Sequence, residues 1–171
     1  GQIVEVGGGH NSLTDNFKNF KISKNCKIIS FEPNPSKKKF NNHKIIKNFF
    51  DNKSVNSSKM NNCDLVVHSH LFEHIYNPLG FLKLVKKILK KNGYHIFSIP
   101  NIKKMILNKQ CNAMNFEHTY FLEEDLVDEL LRSLNFKILK KFYYKYHSIF
   151  YKTKSELGKK GHVNYNNFKK N

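Results

Sequence analysis

The 171-residue sequence has little cysteine, almost no arginine and no long apolar run, and each shortage removes a class of reading. Its three cysteines, Cys26, Cys63 and Cys111, are odd in number, widely spaced and form no C-x-x-C pair. They indicate neither a disulfide framework nor a thiolate zinc site, and a reducing compartment is the expectation. No stretch reaches the roughly 18 apolar residues of a membrane-spanning helix, and no basic flank followed by an apolar stretch opens the chain. A soluble, cytoplasmic protein with no membrane span is expected.

Of 30 basic residues only Arg132 is an arginine. A net charge of +17 (30 − 13) would by itself suggest a phosphate-bearing partner. Arginine, with its planar bidentate fork, is the usual reader of phosphates and guanine edges, and this chain has one. The lysines are therefore read as a solvated surface and a nucleic-acid partner is not favoured; the alternative is a basic face that steers an acidic substrate such as a sugar nucleotide or an RNA. Oligomeric state is not readable.

What is present is one domain's worth of alternating strand and helix signals, expected over residues 1–154 with a polar tail at 155–171. Strands are expected at Gln2 to Val6, Lys27 to Phe31, Lys44 to Lys47, Cys63 to His68 and Tyr94 to Ile99, and a closing pair at Phe136 to Tyr144 and Ser148 to Lys152. Helices are expected from near Ser12 or Thr14, after Pro35, from Pro78 with Leu79, Leu82, Val85 and Leu89 on one face, and from Glu123 to Leu134. The Asn-, Ser- and Lys-rich stretch from Asn52 to Asn62 reads as a loop or a poorly formed helix, and the stretch from Pro100 to Leu122 as a loop. The alternation predicts an α/β fold with a mostly parallel sheet. Because the first strand begins at residue 2, a helix that would precede and cover it is expected to be missing.

The chemistry-bearing residues cluster at strand ends. Ile3-Val4-Glu5-Val6-Gly7-Gly8-Gly9-His10-Asn11 places an acid inside the first strand and glycines just past it, where open α/β sheets bind nucleotides. A dinucleotide fingerprint needs glycine at position 12, which is Ser12. The pattern E-x-G-x-G-x-N instead resembles the first motif of class I S-adenosylmethionine-dependent methyltransferases, with Asn11 where glycine is common. A second acid is expected about 20 or more residues on, at the end of the next strand, to accept from both ribose hydroxyls. Glu32, followed by Pro33, stands there.

The stretch Asn62-Cys63-Asp64-Leu65-Val66-Val67-His68-Ser69-His70-Leu71-Phe72-Glu73-His74-Ile75 before Pro78 resembles the fourth motif of the same family, with Phe72 in place of the usual leucine. The resemblance implies a Rossmann-like class I fold: a mostly parallel seven-stranded sheet, helices on both faces and an antiparallel last strand. It implies S-adenosylmethionine held by Glu5, Gly7, Gly8, Gly9, His10, Asn11, Glu32 and Pro33. Phe50 and Asp51 would border adenine, and His68, Ser69 and His70 would lie against the methionine part.

Glu117-His118 resembles the E-H segment of sugar C-methyltransferases, although Asn115 stands where those enzymes often have tyrosine. It implies His118 as general base with Glu117 as its partner, and His74 joins them as a catalytic candidate; an imidazole pKa near 6.5 suits proton abstraction. A rival arrangement uses His70, Glu73, His74 and His118 as a divalent-metal set, similar to that of small-RNA 2'-O-methyltransferases and ubiquinone-pathway O-methyltransferases. The leading expectation is methyl transfer to a small hydroxylated acceptor, a sugar nucleotide or cell-envelope precursor, with no metal. The alternatives are a metal-assisted O-methyltransferase acting on RNA or a quinol precursor, and a silent domain binding a nucleotide or a partner.

Overall fold

A computed structural model describes residues 1–8, 26–35, 43–111 and 117–156. The strands are β1 (Gln2–Val6), β2 (Lys27–Phe31), β3 (His43–Ile46), β4 (Cys63–Ser69), β5 (Leu89–Pro100), β6 (Phe136–Tyr144) and β7 (Ser148–Ser155). The helices among the described residues are α1 (Asn52–Ser57), α2 (Pro78–Ile88), α3 (Ile102–Leu107) and α4 (Glu124–Ser133), with a 3₁₀ turn at Phe72–His74. The strands form one seven-stranded sheet in the order β3-β2-β1-β4-β5-β7-β6. Pairs from β3 to β5 are parallel. β7 is antiparallel to both neighbours, so the expected antiparallel last strand lies between β5 and β6.

Strand alternation sorts the side chains onto two faces. Val4, Val6, Ile29, Phe31, Val66, Phe97, Ile99 and Tyr151 share one face, where the main core cluster also takes Val55 of α1, Leu82, Val85 and Ile88 of α2 and Val127, Leu130 and Leu131 of α4. Ile3, Ile28 and Val67 are buried on the opposite face, outside that cluster. The helices expected after the first two strands fall at 9–25 and 36–42, outside the described residues.

α2 forms where its apolar spacing and caps coincide. The Asn77 side chain accepts from the Gly80 N–H and Pro78 occupies the first turn, where its missing N–H costs nothing. Leu82, Val85 and Ile88 are then fully buried on the sheet. At the far end of the chain, Tyr151 donates to the buried Asp128 carboxylate of α4 at 3.1 Å, and Lys141 Nζ lies 2.7 Å from the same group. The acidic helix is thus clamped to the β6–β7 pair.

Four local expectations need correction. Asp51 caps α1 by accepting from Ser54 N–H, which turns the polar stretch after it into a real helical turn with Val55 buried. α3 occupies part of the expected loop, started by the Asn101 side chain on Lys104 N–H. β5 starts directly after α2, at Leu89. Gly93, expected to end the helix, lies inside β5, where an added Cβ would come within 3.0 Å of the Cys63 carbonyl oxygen. β7 continues three residues past Lys152, to Ser155.

Candidate functional site

The sheet reverses its winding between β1 and β4, and the crevice outside the carboxyl ends of strands at such a point is where open α/β sheets bind ligands. β1 ends at Val6 and the chain bends at Gly7, whose φ of +70° disfavours any side chain. The Gly7 N–H donates to Phe31 O of β2 at 2.9 Å, so the bend is pinned to the neighbouring strand tip. A Cβ on Gly7 would sit 2.9 Å from Leu71 Cδ1, and one on Gly8 would sit 3.1 Å from the Glu5 carboxyl group. Glu5 is buried beneath the bend and accepts from Ser30 Oγ at 3.1 Å. It braces the turn from below.

Glu32 follows β2, its N–H donating to Ile46 O of β3 and its carboxylate accepting from Asn34 N–H at 2.9 Å. After β3 come Phe50 and Asp51. The Phe50 ring stands edge-on between Phe31 (5.1 Å between centroids) and Phe81 (5.6 Å). The Asp51 carboxylate accepts from Ser54 N–H at 2.7 Å, and that bond is the main reason its pKa lies below the usual 3.8.

Gly7, Glu32, Pro33, Phe50 and Asp51 all open into one cavity of about 640 Å³. Leu71, Ile75, Tyr76 and Asn77 of the turn after β4, and Gly80, Phe81 and Leu84 of α2, complete its wall. The result is an apolar slot with carboxylates along one side, a shape suited to a flat heteroaromatic group joined to a diol. The wall residues escaped sequence reading because Phe81 and Leu84 form a second stripe on α2, beside the core stripe of Leu82, Val85 and Ile88.

Not every expected residue reaches the cavity. His68 points onto the helix-covered face two residues after Val66; it is fully buried, stacked on Phe97 (5.0 Å, 21°) with its Nε2 3.0 Å from His95 Nε2. Desolvation holds His68 well below its usual 6.5 and pushes His95 down to about 3. Ser69 Oγ lies 2.8 Å from Ser98 Oγ, and neither His68 nor Ser69 lines the cavity. His68 is thus turned into the core, and Ser69 sits beside Ser98. His70 adopts the left-handed conformation (φ 45°) and its Nε2 contacts Ser148 Oγ at 2.9 Å. Asp64, the acid opening the fourth motif, accepts from Gln2 N–H and pairs with Lys90 at the other end of the sheet, a structural role. Gly9, His10, Asn11 and Asn115 lie outside the described residues.

The same turn that walls the cavity with Leu71 and Ile75 carries Glu73 and His74 to meet His118. The His74 and His118 rings are 5.1 Å apart, and His74 Nδ1 lies 2.9 Å from the Glu117 backbone oxygen. Glu117 thus contributes its carbonyl to this group. Glu73, His74 and His118 each offer a ligand atom within 4.8 Å of the others, and His70 is not among them. The expected four-residue set is reduced to three.

A family model described as a methyltransferase domain matches residues 1–141. No curated protein sequence matches the chain. Among solved structures, a SAM dependent methyltransferase from Archaeoglobus fulgidus is similar at 14% identity and TM-score 0.67, over 90% of this chain and 86% of that one. Another from Aquifex aeolicus is similar at 11% identity and TM-score 0.65, over 90% and 81%. A 1,6-didemethyltoxoflavin-N1-methyltransferase from Burkholderia thailandensis, with bound 1,6-didemethyltoxoflavin and S-adenosylhomocysteine, is similar at 11% identity and TM-score 0.66, over 91% and 71%.

Proposed function

We propose that this chain, which belongs to the methyltransferase domain family by its match over residues 1–141, binds S-adenosylmethionine in the cavity at the tips of β1 and β2 and methylates a small hydroxylated acceptor. The observation that carries the reading is the juxtaposition of Gly7 and Glu32. They follow Val6 and Phe31, which are register partners on adjacent parallel strands, and both open into the same slot.

The residues present fit the cofactor. A side chain at Gly7 would fill the cradle, and the Phe50 and Phe81 rings offer an apolar surface for adenine with Asp51 beside it to accept from the exocyclic amino group. Glu32 accepts from the ribose hydroxyls, whose geometry a carboxylate matches with two acceptor oxygens. The methionine part lies toward Gly7 and the turn after β4. When bound, the cofactor supplies an electrophilic methyl group on a sulfonium. The protein's contribution is to hold the acceptor oxygen in line with it, since a near-attack arrangement is most of what such a displacement needs.

We assign His118, whose ring stands beside that of His74, the role of accepting the acceptor's proton. A net charge of +17 draws anionic acceptors, which favours a sugar nucleotide or a cell-envelope precursor over a neutral molecule.

Calorimetric titration with S-adenosylmethionine tests the reading. Glu32→Ala removes hydrogen bonds to a charged acceptor and should weaken binding by about 1.5–3 kcal/mol, roughly 10- to 150-fold. Equal affinity in the variant would take Glu32 out of the site, and no binding by the native chain would end the proposal.

A further inference from the structure

We propose that the face of β5, β7 and β6 opposite α4, together with the open edge of β6, docks on an anionic membrane surface. Charge, side-chain type and position on the sheet each support this.

Strand alternation puts Ile149 and Tyr151 of β7 on the helix-covered face and Phe150, Lys152 and Lys154 on the other. Lys152 is in direct register with Lys140 of β6, and Lys154 with Lys137. Like charges directly opposite on one face are destabilising. No acidic residue shares that face on β5, β6 or β7, and among the described residues none of the four lysines has an ion pair. Lysines guard an open sheet edge against pairing, which accounts for Lys137 and Lys140 on β6. It does not account for Lys152 and Lys154, because β7 lies inside the sheet between β5 and β6. A layer of anionic headgroups relieves the repulsion. The acidic side chains of α4 belong to the opposite side of the sheet, where Lys141 pairs with Glu124 and Asp128. An anionic plane therefore attracts one side of the molecule and repels the other, which sets its orientation.

The side chains between the lysines suit the boundary of a bilayer. Tyr94 of β5 and Leu139, Phe142 and Tyr144 of β6 are between 39% and 55% exposed. Phe142 stands 6.2 Å from the ring of its register partner Phe150. Lys152 Nζ lies over the Tyr94 ring at 5.2 Å and Lys145 Nζ over the Tyr144 ring at 5.6 Å. Amphipathic rings sit at headgroup level while lysine stems carry their charge to the phosphates. Leu139 offers nothing to a stacked base, and the one arginine lies on α4, so a nucleic acid fits this face less well than lipid does. A second copy of the chain fits worse. Self-pairing would bring the lysine-rich edge against itself, and the bulge between Ile138 and Lys140 interrupts the ladder such pairing needs.

The face ends next to the candidate site. Tyr144 is the register partner of Ser148, whose Oγ lies 2.9 Å from His70 Nε2, at the start of the turn that carries Glu73 and His74. The consequence for function rests on the reading proposed above: a cell-envelope acceptor carried in the membrane meets this turn from the surface on which the protein sits.

Sedimentation of the full chain with vesicles tests the face, using phosphatidylcholine alone and phosphatidylcholine mixed with phosphatidylglycerol. Binding is expected only to the mixed vesicles and should fall steeply with added salt. Lys140→Glu combined with Lys152→Glu should weaken it by more than ~25-fold, at about fivefold for each lysine lost. Lys83→Glu combined with Lys87→Glu on α2 changes the net charge equally and should weaken it by less than about threefold. Leu139→Ser combined with Phe142→Ser should weaken it by roughly 10-fold. The melting temperature of each variant reports whether its fold survives. No binding of the native chain to the mixed vesicles, or equal losses in the two lysine pairs, overturns the proposal. Tighter binding of a uridine oligonucleotide than of the vesicles, lost in the same Lys140 and Lys152 variant, also overturns it and makes the face a nucleic-acid platform. A native chain that binds S-adenosylmethionine but no vesicle keeps the methyltransferase reading, and one that binds vesicles but not the cofactor fails that reading alone.

Discussion

Two pairs of imidazoles, built from the same residue type on neighbouring segments, meet opposite fates in this molecule. His68 and His95 face each other at 3.0 Å inside the sheet's helix-covered face, sealed by Phe72, Phe81, Phe97 and Phe136. His74 and His118 stand 5.1 Å apart beside a buried carboxylate, on a turn whose other residues wall the cavity. The first pair is bonded to itself through its Nε2 atoms and held neutral by desolvation, its Nδ1 atoms buried in the core without a partner among the described residues. The second pair stands beside the buried Glu73 carboxylate. A histidine's chemistry is thus decided by which side of a strand or turn it occupies, and His68 and His74 are separated by only six positions.

The largest difference should appear in turnover. His118→Ala should lower the release of S-adenosylhomocysteine, measured over a panel of hydroxylated acceptors, by about 100- to 10,000-fold while leaving cofactor affinity within about twofold. Equal losses in both quantities would make His118 a structural residue and erase the contrast with His95.

The buried pair should dominate the response of stability to acid. Burial lowers His95 to about 3 and His68 well below 6.5, so from those folded-state values up to 6.5 the unfolded chain holds protons that the folded chain refuses. Their stabilisation is complete above pH 6.5 and is lost progressively as the pH falls toward the folded-state values. The slope should be about 1.4 kcal/mol per pH unit for each histidine. Urea melts at pH 7 and pH 5 measure it, and His95→Phe should flatten the dependence because the aromatic column with Phe97 survives. Identical pH profiles for His95→Phe and the native chain would show that the pair is not the sensor.

How far the sequence discloses this contrast can be traced residue by residue. Strand period and glycine spacing place β1, β2, β4, Gly7 and Glu32 correctly, because each signal is local and short. Gly7 and Glu32 follow register partners at the tips of β1 and β2 and line one cavity. The four imidazoles are harder. His68 and His70 read alike on paper, and only the parity set by Val66 sends His68 into the core, while the left-handed bend at His70 turns its ring to Ser148. Glu73 and His118 are 45 positions apart, and no periodicity links them. α3 escapes because six residues with two lysines carry too little pattern, and α1 because its signal is a cap and one buried valine.

The smallest expected effect concerns the cavity side, where no histidine is needed. Asp51 has two roles to separate: it caps α1 through Ser54 N–H at 2.7 Å, and it borders the slot proposed for adenine. Asparagine caps helices about as well as aspartate, so Asp51→Asn should leave the melting transition almost unchanged, whereas Asp51→Ala should cost about 1 kcal/mol of stability. The same Asn variant exchanges a charged acceptor for a neutral one, and a hydrogen bond to a neutral group is weaker by about 1 kcal/mol. S-adenosylmethionine should therefore bind Asp51→Asn roughly fivefold more weakly, with stability intact. If the Asn variant binds as tightly as the native chain while the Ala variant melts earlier, Asp51 is a cap alone, and recognition of adenine falls to the Phe50 and Phe81 rings and the slot they shape.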